Sequence, residues 1–199
     1  MEEIISKEIA KKLMEIKGES RGMAIKDDFE YVLQEEGKEG VKKLEDELAR
    51  LDYPIKYEDI KPMKFYPVGL EAVIMLATKK LFNYDKEDFK KLGEFSARLP
   101  LIIRIFMKYF ISLNTIAKEA PKMWRRYHTV GDPKVVELSE EKRYAILKVE
   151  NFNLVSIYCQ MLIGYLSSLI QLVVKTPVIG KETKCTFRGD EYHEFLFKW

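Results

Sequence analysis

Residues 151–174 read NFNLVSIYCQMLIGYLSSLIQLVV, without one charged side chain. A helix that is apolar on every side must be covered on every side, by lipid or by protein. Three serines, two glutamines and two asparagines interrupt this run. Lys142, Arg143 and Lys148 flank it on one side and Lys175 on the other. We read a helix over 154–174, buried in a protein core and stopped by Pro177, and we expect no membrane span.

The neighbouring segments suit such a cover. Gly131-Asp132-Pro133 breaks a long helical pattern, and KVVEL and RYAILKVE then read as two strands joined by a turn through 139–142. After Pro177, residues 178–187 and 191–199 form a second pair. The order β-β-α-β-β predicts an antiparallel four-stranded sheet with helices against one face.

Upstream, the first 130 residues read as helical. Ile4, Ile5, Ile9, Leu13 and Ile16 recur at helical spacing before Gly18. A second helix covers about 25–36 and ends at Gly37; a third covers about 40–51. DYPIKYEDIKPMKFYP, with three prolines, reads as a connection. Further helices are expected from VGLEAVIMLATKKLF, from KEDFKKLGEFSARL with Asp85 as its cap, and from LIIRIFMKYFISL. A last one, capped by Asn114 or Thr115, runs toward His128. The fold class is α+β: one domain over 1–199, with a helical sub-lobe 1–131 and a sheet sub-lobe 132–199.

Charge excludes some functions. Lys and Arg number 34 against 32 Asp and Glu, a net +2, so nothing drives the chain toward nucleic acid. Lys122, Arg125 and Arg126 beside Trp124, Tyr127 and His128 read as the solvated rim of an amphipathic helix. The N-terminus lacks the continuous apolar core of a signal peptide, and two cysteines make no disulfide framework. The expected location is the cytoplasm.

The chain ends CTFRGDEYHEFLFKW, with one of its two cysteines and one of its two histidines. If Arg188-Gly189-Asp190 is a three-residue hairpin loop, Cys185 faces His193 on the side that carries Phe195, Phe197 and Trp199. The long helix must pack there, and it brings Cys159. Glu182 is the local candidate for a fourth ligand, but a regular strand turns it to the opposite face. It needs a bend or bulge, for which Gly180 offers a place. Geometry leaves a metal centre, plain core packing and a Cys185–His193 catalytic pair as alternatives.

Cys159-Gln-Met161-Leu162-Ile-Gly164-Tyr165-Leu-Ser167, followed by Glu182-x-x-Cys185, Gly189 and His193, resembles the 4-vinyl-reductase-like domain. The version most similar is that in the sensor modules of phenol- and xylene-responsive bacterial activators. Those modules share C-x-M-L-x-G-Y-x-S, then E-x-x-C-x-x-x-G-x-x-x-C. The resemblance implies a structural zinc held by Cys159, Glu182, Cys185 and His193, with His193 standing where the family has a cysteine. The same superfamily contains TRAPP subunits and haem–nitric-oxide-binding domains. Haem is not expected, because that group carries a Tyr-x-Ser-x-Arg motif and this chain has none.

The resemblance also implies a sensory or regulatory domain that binds a small hydrophobic ligand between the helical lobe and the sheet. The pocket candidates are Phe106, Tyr109, Phe110, Trp124, Tyr127, Phe152 and Tyr165. A homodimer and a signalling protein partner follow as expectations. The alternatives are a TRAPP-like assembly adaptor without a ligand, a haem or nitric oxide sensor, and a component of a tetrapyrrole vinyl reductase. With no nucleotide loop, flavin site or exposed acid–base pair in the sequence, we expect no enzyme.

Overall fold

The structure of the protein is a computed structural model and describes residues 5–98 and 112–199. These residues gather into two compact units. One comprises Met1–Asp88 with Tyr127–Val130, the other Phe89–Arg126 with Gly131–Trp199.

The first unit is mainly helical. Helix α1 (Lys7–Met14) starts where Ser6 Oγ accepts from the Ile9 amide at 3.2 Å, a side-chain N-cap. Helix α2 (Gly22–Arg50) is two helices joined across a kink at Gly37, whose φ of 70° and ψ of −171° suit a glycine. The two helices expected on either side of Gly37 are thus present. Strands β1 (Glu19–Arg21) and β2 (Phe65–Pro67) form a small antiparallel ribbon, with Ser20 opposite Tyr66. Helix α3 (Val68–Phe82) is buried continuously from Val68 to Thr78. A Cβ on Gly69 would stand 2.0 Å from the Leu13 carbonyl oxygen, so α1 and α3 touch backbone to backbone.

The ribbon corrects the all-helical reading of the first 130 residues. Strands of three residues are too short to show an alternating pattern. A third segment reinforces them. The Arg21 amide donates to the Tyr127 carbonyl at 2.7 Å, and the Thr129 amide to the Glu19 carbonyl at 2.9 Å. Tyr127–Val130 therefore lies along β1 on the side away from β2.

Helix α4 (Lys86–Ser96) is capped by Asp85, whose Oδ1 accepts from the Glu87 and Asp88 amides at 2.8 and 3.1 Å, as the sequence suggested. The boundary between units falls inside this helix. The helix expected over LIIRIFMKYFISL lies almost wholly outside the described residues. Helix α5 (Leu113–Trp124) is capped by Ser112, not by Asn114 or Thr115. Ser112 has extended backbone angles, and its Oγ accepts from the Thr115 amide.

The second unit is built on strands β3 (Asp132–Ser139), β4 (Tyr144–Glu150), β5 (Ile179–Lys184) and β6 (His193–Lys198), with helix α6 (Tyr158–Val174) between the pairs. The sheet order is β3-β4-β6-β5, antiparallel throughout. Ala145, Leu147, Val149, His193, Phe195 and Phe197 are its buried positions on the two central strands. Each buried phenylalanine contributes about 1.5–3 kcal/mol relative to exposure. Helices α4 and α6 cross at two glycines: a Cβ on Gly93 would stand 1.9 Å from the Met161 carbonyl oxygen, and one on Gly164 1.9 Å from that of Lys90. The first part of the uncharged helix is thus covered by protein, while Gln171 is exposed and Leu172, Val173 and Val174 are partly buried. Among the described residues, no helix is long and apolar enough to cross a membrane.

Candidate metal centre

The α6 helix brings Cys159 in its first turn to the buried end of β6, where His193 is the first strand residue. The β5–β6 register supplies the other two side chains. Glu182 pairs with Phe195 and Lys184 with Glu194, so Thr183 is the extra residue of a bulge. The bulge lets Glu182 and Cys185 both reach the inner face, which a regular strand forbids. A bulge beside Glu182 was needed by the sequence argument, but its place is Thr183 and not Gly180. Gly180 serves helix packing instead, since its missing Cβ admits Ile163 and Ser167 of α6.

A compact turn fixes Cys185. Its carbonyl accepts from the Arg188 amide at 2.8 Å and the Asp190 amide at 3.2 Å. Its own amide donates to Asp190 Oδ2 at 2.8 Å. Gly189 takes φ 95°, the left-handed conformation that a glycine adopts without strain.

The four ligand atoms of Cys159, Glu182, Cys185 and His193 all lie within 4.8 Å of one another. Cys159 Sγ is 3.3 Å from His193 Nδ1, and Glu182 Oε1 is 3.6 Å from the same nitrogen. The Arg188 guanidinium holds Glu182 Oε2 at 2.7 Å, while the buried Oε1 has no hydrogen-bond partner. His193 Nε2 lies 3.1 Å from the Phe152 carbonyl and 2.9 Å from Thr186 Oγ1. The Thr186 hydroxyl donates to Asn153 Oδ1 at 2.8 Å, so its oxygen is left to accept. Both neighbours of Nε2 are then acceptors, and the ring proton belongs there. The Nδ1 lone pair faces the two cysteines and Glu182. Fixing a ligand histidine through its second nitrogen is how metal sites orient their imidazoles.

Burial, followed by the Glu182 carboxylate, raises the Cys159 thiol above its ordinary pKa, and the same two causes lead at Cys185. Burial works against the charged form of Glu182 too. The close approach of His193, Cys159 and Cys185 and the charge of Arg188 outweigh it and hold this carboxyl at about 2. The centre is therefore one fixed carboxylate, two thiols and an imidazole with an inward lone pair. A bound cation reverses the thiol preference by displacing their protons.

Of the seven expected pocket residues, four are described. Phe106, Tyr109 and Phe110 lie outside the described residues. Trp124 and Phe152 meet edge to face at 4.9 Å, and Phe152 meets Tyr158 at 4.9 Å. Tyr165 packs against Ala97 and Leu169. Tyr127 belongs to the first unit. Sequence reasoning missed Asn153, Thr186 and Arg188, which orient the ligands. Their one signal was closeness in sequence to the cluster and to Phe152.

No family model matches the chain, and no curated protein matches it. Solved structures do. An H-NOX protein from S. oneidensis in its Fe(II)NO ligation state superposes with a TM-score of 0.64 at 13% identity, over 89% of this chain and 98% of that one. An oxygen-binding H-NOX domain related to soluble guanylate cyclases gives 0.58 at 11%, over 89% and 94%. A structure described by the modulation of haem redox potential through porphyrin distortion gives 0.60 at 10%, over 90% and 99%. At these identities the likeness establishes the fold: this chain has the H-NOX fold.

That result corrects one expectation. Zinc without haem was expected as the cofactor, yet the fold neighbours are proteins described by haem, by Fe(II)NO ligation and by oxygen binding. The expectation rested on a local ligand pattern and on a missing motif, whereas the whole-chain architecture is shared with structures described by haem, by Fe(II)NO ligation and by oxygen binding. The expectation of a binding domain rather than an enzyme agrees with these neighbours.

Proposed function

We propose that this chain is a small-molecule-binding sensory domain, a 4-vinyl-reductase-like variant of the H-NOX fold that passes its signal to a protein partner or a second copy. One observation carries the reading: the match to ligand-binding H-NOX structures extends over 89–90% of this chain and 94–99% of theirs. The cluster of Cys159, Glu182, Cys185 and His193 is, in this reading, a metal-ion site that clamps α6 to the β5–β6 hairpin. Its support is the convergence of four ligand atoms and the imidazole held with Nδ1 inward.

Haem is the ligand that the fold neighbours bring forward. Haem iron is held by a histidine, cysteine, methionine or tyrosine side chain. Both cysteines and His193 belong to the cluster, and His128 is buried with its Nε2 3.4 Å from Glu71. A cavity of about 620 Å³ in the first unit, lined by Met14, Tyr53, Tyr66 and Leu70 among others, has neither histidine in its wall. Among the side-chain types that can ligate haem iron, that cavity wall offers Met14, Tyr53 and Tyr66.

Thermal-shift measurements with haem and a panel of hydrophobic small molecules, read beside the absorption spectrum, test the proposal. At least one compound is expected to raise the melting temperature in a saturable way, with a Soret band if that compound is haem. No saturable shift across haem and the panel would refute the sensory reading and favour a ligand-free assembly module.

A further inference from the structure

Helix α6 packs on the inner face of the four-stranded sheet, and α5 touches both that helix and β3. The outer face takes every second strand residue. On β4 and β6 the buried positions alternate with partly buried ones, among them Ile146 and Leu196. Ile179 on the edge strand β5 is 75% exposed.

Residues opposite one another across a ladder point to the same side. The register therefore lays the outer face out in rows, read from β3 through β4 and β6 to β5. The central row is Glu137, Ile146, Leu196, Lys181. On one side of it runs Ser139, Tyr144, Lys198, Ile179, and on the other Lys134, Lys148, Glu194, Lys184. The central row thus sets two aliphatic side chains between an acid at one sheet edge and a base at the other. The Tyr144 hydroxyl donates to Glu137 and fixes that carboxylate at the β3 edge.

Such a row is complementary to itself. Two copies stacked face to face about a twofold axis parallel to the strands bring β3 over β5 and β4 over β6. Glu137 then meets Lys181 of the second copy, and Ile146 meets Leu196. The Tyr144 ring meets Lys198, a cation over an aromatic face, and Ile179 is covered. Lys148 meets Glu194, and Lys134 over Lys184 is the one like-charged meeting. A twofold axis across the strands would instead set Glu137 over Glu137 and Lys181 over Lys181, which costs binding energy. Charge selects between the two ways of stacking. Packed sheets stand about 10 Å apart, a gap that a Glu and a Lys reaching from opposite faces can close.

We propose that the outer face of this sheet is a homodimer interface, with the two copies stacked about an axis parallel to the strands and Glu137 of each paired with Lys181 of the other. Four strands of about six residues give a face about 20 Å on a side. That is the small end for a specific interface, and the expected dissociation constant is micromolar. The interface supplies the second copy of the proposed sensory domain. Its test reads association alone, so it can fail while ligand binding stands.

Sedimentation equilibrium of the full chain, at concentrations up to about 200 µM, covers the expected range. The wild type should move from 23.4 kDa toward twice that mass. Lys181→Glu sets acid against acid twice per dimer and should raise the dissociation constant about tenfold or more. Glu137→Lys should do the same. The variant carrying both changes restores opposite charges across the axis, and its constant should return to within about threefold of wild type. A wild type that stays monomeric throughout would overturn the proposal, whatever the variants do. A dimer that either single change leaves intact, or that the double change fails to restore, would overturn it as well, since another surface would then join the copies.

Discussion

The two units each bury a histidine with a carboxylate, yet the surroundings differ. Around His193 the acid is held ionised by Arg188 and by the groups that converge on its inward side. In the helical unit Glu71 lies 3.4 Å from His128, and burial, then Glu71, then Asp27 push the buried Asp28 carboxyl upward. The first arrangement suits a cation and the second suits a proton. The same two residue types reach opposite chemistry because one carboxylate has a guanidinium at 2.7 Å and the other a second carboxyl group.

The largest test of this contrast is to remove a thiol. Cys185→Ala is expected to abolish metal retention, checked by elemental analysis of protein purified without added metal. It should lower stability by about 4 kcal/mol, as loss of a structural metal does.

Gly164→Ala should cost about 3 kcal/mol by denaturant unfolding, since its Cβ would stand 1.9 Å from the Lys90 carbonyl oxygen. It carries Cys159 with its helix, so metal affinity should fall as well. Thr186→Val removes one acceptor from His193 Nε2. A loss of about tenfold in metal affinity, measured by competition with a chelator, is the scale for such orienting groups.

The smallest effect separates acid from base behaviour. Hydrogen bonding from Arg50 is the leading cause that holds Glu47 at about 2, against its burial and with help from Lys80. Its stability is present above the ordinary 4.5 and lost as pH falls toward 2. Glu47→Gln should flatten this acid limb of the melting curve by about 1 kcal/mol.

Much of the thiol centre was legible in the sequence because its parts are local. Glu182, Cys185 and His193 sit on one hairpin, and strand alternation alone turns Cys185 and His193 to one face. Glu182 required a bulge, and sequence could say that one was needed without saying where. The carboxylate cluster was not legible. Asp28, Glu71 and His128 come from two helices and a returning segment, and no spacing rule relates residues so far apart. Asp85 and Gly37 could be read because a cap and a kink are decided by adjacent backbone. The β1–β2 ribbon could not, since three-residue strands have no period. The fold class followed from the switch of pattern at Gly131-Asp132-Pro133. The cofactor expectation failed because a four-residue pattern says nothing about what the whole architecture holds.

Native mass spectrometry of the full chain, purified from haem-replete cells without chelator, bears most directly on the central claim of a ligand-binding domain. The account predicts one metal ion and one non-covalent small-molecule ligand per chain, with the metal lost and the ligand retained in Cys185→Ala. A bare chain that takes up neither the metal nor haem or any hydrophobic compound on addition would contradict it.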